Sequence, residues 1–199
     1  MVVFLCCDAS CLGGCAAINF ANPKQMDLSD YKYFPQVLMA VLIVDLIVIF
    51  LVRYFPGFWG STINVWYDKF GLSAVIADVL IIVLGFFLAQ FLYRNYVKPS
   101  IGWNPIAFAA VLVGVQVLHD LLFYFGVIRP IPKGHNAMID VFKVYAERGG
   151  SKVVVADTAM MLGSFGIASA LAGAPSAATA FSGVLAAYAV PYILTTQWR

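Results

Sequence analysis

The stretch IDVFKVYAERGGSKVVVAD (139–157) repeats the pattern of an earlier one, INVWYDKFGLSAVIAD (63–78). Both begin with Ile, then Asn or Asp, Val and an aromatic residue. Both pass through glycine into an apolar run that soon reaches Ala-Asp, and the later copy is three residues longer. Self-similarity in a fixed order indicates internal duplication. The pattern therefore predicts two equivalent units, each with an aspartate just inside a hydrophobic helix.

The composition indicates that most of the chain lies in lipid. Of its 199 residues, 62% are hydrophobic and 11% charged, whereas soluble domains have about 45–50% and about 25%. Long apolar runs with few charges are typical of membrane spans. A net charge of +2 gives no reason to expect a nucleic-acid partner. Without a Cys/His cluster, a Ser/His/Asp order or a phosphate-binding loop, we expect neither a metal or other cofactor nor an enzyme.

Five apolar runs predict an all-α membrane protein with five transmembrane helices, at about 36–55, 72–93, 105–128, 152–172 and 176–196. Residues 94–104 are predicted to form a short polar turn. Two amphipathic stretches, 61–70 and 137–148, are predicted to be helices lying in the membrane interface. Their predicted anchors at the membrane–water boundary are aromatic: Trp59, Trp66, Tyr67, Phe142 and Tyr145.

The duplication can be drawn wider, because AVLIVDLIVIFLVRYFP (40–56) resembles AVLVGVQVLHDLLFYFGVIRP (110–130). Residues 36–103 and 104–173 are thus predicted to form two parallel two-helix units. Residues 174–199 add a C-terminal membrane helix, and 1–35 form a cysteine-containing segment with a surface connector. Small residues such as Gly166 and Gly183 lie at helical spacing in the last two spans, so we expect these two helices to pack as a hairpin.

Four aspartates lie in four successive spans: Asp45, Asp78, Asp120 and Asp157. At a rise of ~1.5 Å per residue, all four fall in the same half of the bilayer. They are favoured to hydrogen-bond between helices and fix the packing. A proton or cation pathway, with His119 as a proton carrier, is an alternative. Binding of basic residues of a partner protein is a third.

Four cysteines lie near the N-terminus: Cys6, Cys7, Cys11 and Cys15. Three of them are spaced at i, i+4 and i+8, which places them on one face if the segment is helical. A role as small packing residues is favoured, and lipid acylation or a disulfide are the alternatives. No C-x-x-C spacing is present, so a redox relay is not indicated.

The basic residues are unevenly divided between the two ends of the spans. We call the end at which the first span exits side B and the opposite end side A. Side A carries four Lys or Arg residues, namely Lys24, Lys32, Arg94 and Lys98. Side B carries eight, namely Arg53, Lys69, Arg129, Lys133, Lys143, Arg148, Lys152 and Arg199. The positive-inside rule therefore predicts that side B faces the cytoplasm.

The duplicated stretches, as IDVFKVYAERGGSKVVVADTAMMLGS (139–164) and INVWYDKFGLSAVIADVLII (63–82), resemble small multi-spanning proteins of large icosahedral double-stranded DNA viruses of algae and amoebae. The resemblance covers roughly 34–172 and points to membrane-embedded minor capsid proteins. It implies a structural protein of the virion internal membrane. Such a protein would anchor the capsid shell to the bilayer through polar loops and interfacial helices, with other capsid or membrane proteins as partners. It brings no catalytic residues. The alternative is a small proton or cation channel or transporter that uses the aspartates.

Overall fold

The computed structural model describes residues 26–55 and 61–197, and this part of the chain is mostly helical, with no strands. Its main helices are α1 (Phe34–Tyr54), α2 (Ser61–Phe70), α3 (Leu72–Leu92), α4 (Pro105–Phe123), α5 (Ala137–Gly149), α6 (Ser151–Ala172) and α7 (Ser176–Leu194). Helices α1, α3, α4, α6 and α7 belong to five segments long and apolar enough to cross a membrane. The predicted all-α class and the five spans are confirmed, and the chain is a multi-pass membrane protein.

Each amphipathic helix turns into the next span at a glycine. Gly71, between α2 and α3, has φ 53° and ψ −128°, and Gly150, between α5 and α6, has φ 50° and ψ −128°. Side chains with a Cβ rarely adopt a positive φ of this kind, so glycine permits the sharp corner. Helix α5 is capped by Asn136, whose side-chain oxygen accepts from the backbone N–H groups of Met138 and Ile139.

The prediction of a polar turn over 94–104 is wrong. Helix α3 continues through a π-helical turn, Tyr93–Val97, and a last turn, Lys98–Ile101. Pro99 does not end it, because proline lies in the first turn of that final helical piece, where its missing N–H is not needed. The chain reverses only over 102–104, where the Tyr93 hydroxyl donates to the Gly102 carbonyl at 2.8 Å and accepts from the Asn104 N–H at 2.7 Å.

Helix α1 is central to the packing. Helices α1, α3, α4 and α6 form a ring in which each contacts its two neighbours, and α7 packs on the outer side of α1. The expected hairpin of the last two spans is therefore wrong, because α7 packs along α1 and not along α6. A Cβ on Gly183 would lie 1.7 Å from the Met39 sulfur of α1, whereas one on Gly166 would meet open space. Gly183 allows the close approach of α7 and α1.

Part of the connector predicted to lie at the surface is buried. Leu28 is 1% exposed, and its carbonyl accepts from the side-chain amide of Gln90 at 2.8 Å. Lys98 donates to the Asp27 carboxylate. Partial burial raises the pKa of Asp27, but hydrogen bonds from Lys98 and Ser29 outweigh this effect and hold that pKa below its ordinary value. The connector is thus fastened to the side-A end of α3 through polar contacts that are remote in sequence.

Replacing Gly183 by Leu is expected to destabilise the protein by about 1–3 kcal/mol, because the new side chain must displace Met39 and push α7 away from α1. The measurement is thermal unfolding of the purified protein in detergent. Gly166→Leu is the matched control, since that site is open, and we expect it to unfold close to the wild-type temperature. Equal losses in both variants would contradict the packing of α7 on α1.

Candidate functional site: a layer of buried carboxyl groups

The two amphipathic helices, α2 and α5, contact each other at the side-B end of the bundle. We call this pair the cover. Its centre is aromatic, with the Trp66 and Phe142 rings 4.7 Å apart between centroids. Trp66 and Tyr67 are 3% and 2% exposed, so these two predicted membrane anchors lie inside the protein. Phe142 and Tyr145 are half-buried. Trp59 lies outside the described residues.

The buried aromatic side chains of α2 point to the first two aspartates. The Trp66 Nε1–H donates to Asp78 Oδ2 at 3.0 Å, and the Tyr67 hydroxyl donates to Asp45 Oδ1 at 3.4 Å. Asp45 is 0% exposed, and its Oδ2 atom has no partner among the described residues. Burial, followed by the carboxyl groups of Asp78 and Asp45, raises the pKa of Tyr67 well above its usual value of 10. The phenol therefore stays protonated and acts as a hydrogen-bond donor.

The third aspartate forms a small network within α4. Asp120 Oδ1 accepts from the Gln116 side-chain amide at 2.8 Å and lies 3.2 Å from His119 Nδ1. The His119 ring stacks on Phe123 with centroids 5.7 Å apart. Asp120 Oδ2 is buried and has no partner among the described residues. His119 is thus in contact with Asp120, as its sequence position suggests.

Asp157 links the two halves of the layer. It is close enough to Asp120 and Asp78 for electrostatic interaction, and Asp45 interacts in the same way with Asp78. Tyr145 of the cover is near Asp157 and Asp78, and burial, followed by the charges of these two carboxyl groups, raises the pKa of Tyr145 to about 12. The four aspartates therefore form a connected series in the order Asp45, Asp78, Asp157, Asp120, which we call the carboxyl layer.

The donors around the layer decide what it can do chemically. Trp66 and Tyr67 each donate to one carboxyl group, so the layer ties α2 to α1 and α3. Within the described ranges, no group of three or more His, Cys, Asp or Glu side chains is arranged to hold a metal ion. Cys6, Cys7, Cys11 and Cys15 lie outside those ranges. The arrangement can bind helices together, and its unpartnered oxygens can accept further hydrogen bonds or protons.

Two polar contacts that fasten the cover were not anticipated. Arg53 is 8% exposed, and its guanidinium contacts Asp68 at 2.5 Å and Asn64 at 3.2 Å. Lys143 donates to the carbonyls of Ile128 and Arg129 at the end of α4. The sequence signal for the first contact was the i, i+4 spacing of Asn64 and Asp68, which places both on one face of α2. Each cover helix is thus tied to the end of the preceding span.

Tyr145→Phe is expected to remove an absorbance step near pH 12 from the alkaline titration of the ten tyrosines. Because the folded pKa is raised, the unfolded chain releases this proton first, from about pH 10. The stability that depends on the protonated phenol is therefore complete below about pH 10 and lost as the pH rises towards 12. The measurement is absorbance at the tyrosinate band, together with thermal unfolding at each pH. Loss of a step near pH 10 instead would place Tyr145 away from the layer.

Neither a family model, a curated protein nor a solved structure matches this chain. The resemblance to membrane-embedded minor capsid proteins therefore stays a prediction.

Proposed function

We propose that this chain is a non-catalytic structural membrane protein whose five spans carry a fixed polar cover on side B. More specifically, we propose that it anchors the capsid shell to an internal lipid membrane of a virion. The polar loops and the cover would contact other capsid or membrane proteins of the same assembly. The virion assignment rests on the resemblance of residues 63–82 and 139–164 and not on the geometry.

One observation carries the structural role. The Trp66 and Tyr67 donors of the cover reach Asp78 and Asp45 inside the spans. A carboxyl group in a membrane is costly unless it is paired, so a buried pair of this kind holds the cover in one position. Arg53 and its contact with Asp68 reinforce the same connection. A rigidly attached helix pair suits an anchor, because force on the cover is passed directly to the spans.

The outer surface of the cover has the chemistry of a contact site for protein. Asp68 and Lys69 of α2 and Glu147 and Arg148 of α5 are exposed. Both signs of charge are represented, which favours a partner with complementary charges over a uniformly charged polymer. This pattern supports another protein of the assembly as the partner.

A second candidate, a proton or cation pathway, is favoured by a different observation. Asp45 Oδ2 and Asp120 Oδ2 are buried without partners among the described residues. Ionisable side chains inside a membrane protein often mark proton relays. His119, in contact with Asp120, could exchange a proton with it. Passage would require the carboxyl layer to open at the cover.

The virion assignment is tested by purifying mature particles and measuring the amount of this chain per copy of the major capsid protein. We expect a fixed ratio that survives stringent washing and is lost when detergent removes the internal membrane. Chemical cross-links should run from Lys69 of the cover to a capsid protein. Lys32, on side A, is the matched control and should give none. Absence of the chain from washed particles would exclude the virion role.

The carboxyl layer distinguishes the two candidates. Asp45→Asn keeps the size and a hydrogen-bond acceptor for Tyr67, so we expect thermal stability close to that of the wild type. Asp45→Leu removes the Asp45 acceptor of the buried Tyr67 hydroxyl and should cost about 1–3 kcal/mol. Proton flux into liposomes is measured for both variants. Wild-type flux above that of protein-free liposomes, abolished by Asp45→Asn without loss of stability, would favour the pathway and contradict the structural role.

A further inference from the structure

We propose that the side-B cavity between the end of α4 and helix α5 binds the phosphate headgroup of an anionic phospholipid. The cavity has a volume of about 240 Å³. It is open to solvent on one side and has room for a phosphate group. Its lining consists of Tyr124, Ile128, Arg129, Ile131, Pro132, Lys133, Lys143 and Glu147. We call it the headgroup cavity.

The local backbone holds the headgroup cavity in shape. Helix α4 ends in a π-helical turn, Tyr124–Ile128, and Lys143 of α5 donates to the carbonyls that follow, those of Ile128 and Arg129. On the other side, the Asp140 carboxylate accepts from the Gly134 N–H at 3.0 and 3.1 Å. The loop is therefore fixed at two points to α5. A pre-formed site of this kind does not have to order its loop on binding.

The charge of the lining favours an anion. It contains three cations, Arg129, Lys133 and Lys143, and among the described lining residues Glu147 is the single acid. Glu147 lies 3.4 Å from Lys133 in an ion pair whose two side chains are 62% and 66% exposed. An exposed pair contributes little and is readily exchanged for a phosphate contact. The net charge of the lining is +2, which attracts an anionic headgroup.

The position of the cavity favours a lipid over a free anion. It lies where the span containing α4 leaves the membrane, on the side predicted to face the cytoplasm, where anionic lipids attract basic residues. Tyr124 and Phe125 are exposed on the same turn, and Phe125 lies 6.0 Å from the Arg129 guanidinium. A lipid bound through its phosphate would have its acyl chains beside these rings. A free phosphate would gain nothing from that apolar flank.

The test measures binding of fluorescent phosphatidylglycerol to the full chain in nonionic detergent by polarisation. The double variant Arg129→Gln/Lys133→Gln is expected to weaken binding about twenty-fivefold, about fivefold for each cation. Arg148→Gln/Lys152→Gln is the matched control, because it removes the same charge from exposed positions on side B outside the lining. We expect that control to bind within about twofold of the wild type. Equal weakening in both double variants, or in neither, would overturn the proposal.

Three further binding measurements distinguish the proposed site from misfolding, from unselective lipid binding and from binding of a free anion. Glu147→Gln removes the acid from the lining and should tighten binding about fivefold, an increase that misfolding cannot produce. No tightening would count against the site. Labelled phosphatidylcholine should bind weakly to all variants, and equal binding of both lipids would overturn the preference for an anionic headgroup. Inorganic phosphate at millimolar concentration should leave the lipid bound. Complete displacement would assign the cavity to a free anion instead.

Discussion

A carboxyl group inside a membrane needs a hydrogen-bond donor, and the donation from Trp66 to Asp78 meets that need from outside the spans. Water is scarce at this depth, so a donor must come from the protein itself. Helix α2 supplies two, on adjacent residues, Trp66 and Tyr67. Once these side chains enter the bundle, the position of α2 is fixed, and α5 packs against it through Phe142. The cover thus follows from the presence of carboxyl groups in the spans.

Helix α1 carries one of these intramembrane carboxyl groups and also makes the closest contact with a neighbouring helix. Asp45 places a carboxyl group on a helix that contacts α3, α6 and α7. Gly183 lets α7 approach α1 at Met39, whereas a Cβ added to Gly163 of α6 would meet Val44 of α1 only at ordinary van der Waals distance. In lipid, close backbone approach of this kind replaces the hydrophobic driving force that operates in water. A helix surrounded on several sides can bury a polar group that a lipid-facing helix cannot.

The sequence allows the helices and the carboxyl layer to be predicted. It does not show which helices pack together or which side chains donate to the carboxyl groups. Apolar runs define spans because backbone groups in lipid must bond within the helix, and helical rise places the four aspartates in the same half of the bilayer. Small residues occur on several spans, so spacing alone cannot tell whether Gly183 faces α6 or α1. Trp66 and Tyr67 suit both a membrane boundary and a buried donor role, because each joins an apolar ring to one polar group. The burial of Leu28 depends on Gln90, which is remote in sequence.

The two candidate functions, a structural anchor and a proton or cation pathway, differ in whether the cover can move. On side B the cover lies over the layer, and the Arg53 contact with Asp68 and the Lys143 contact with Ile128 fasten its two helices separately. Opening a path to Asp78 would break the Trp66 bond and expose an aromatic cluster that includes Phe142. Each lost contact adds to the cost of opening, whereas an anchor gains from every one of them. A lipid phosphate beside Lys143 would add a further fixed point, because it would hold α5 to the membrane surface itself.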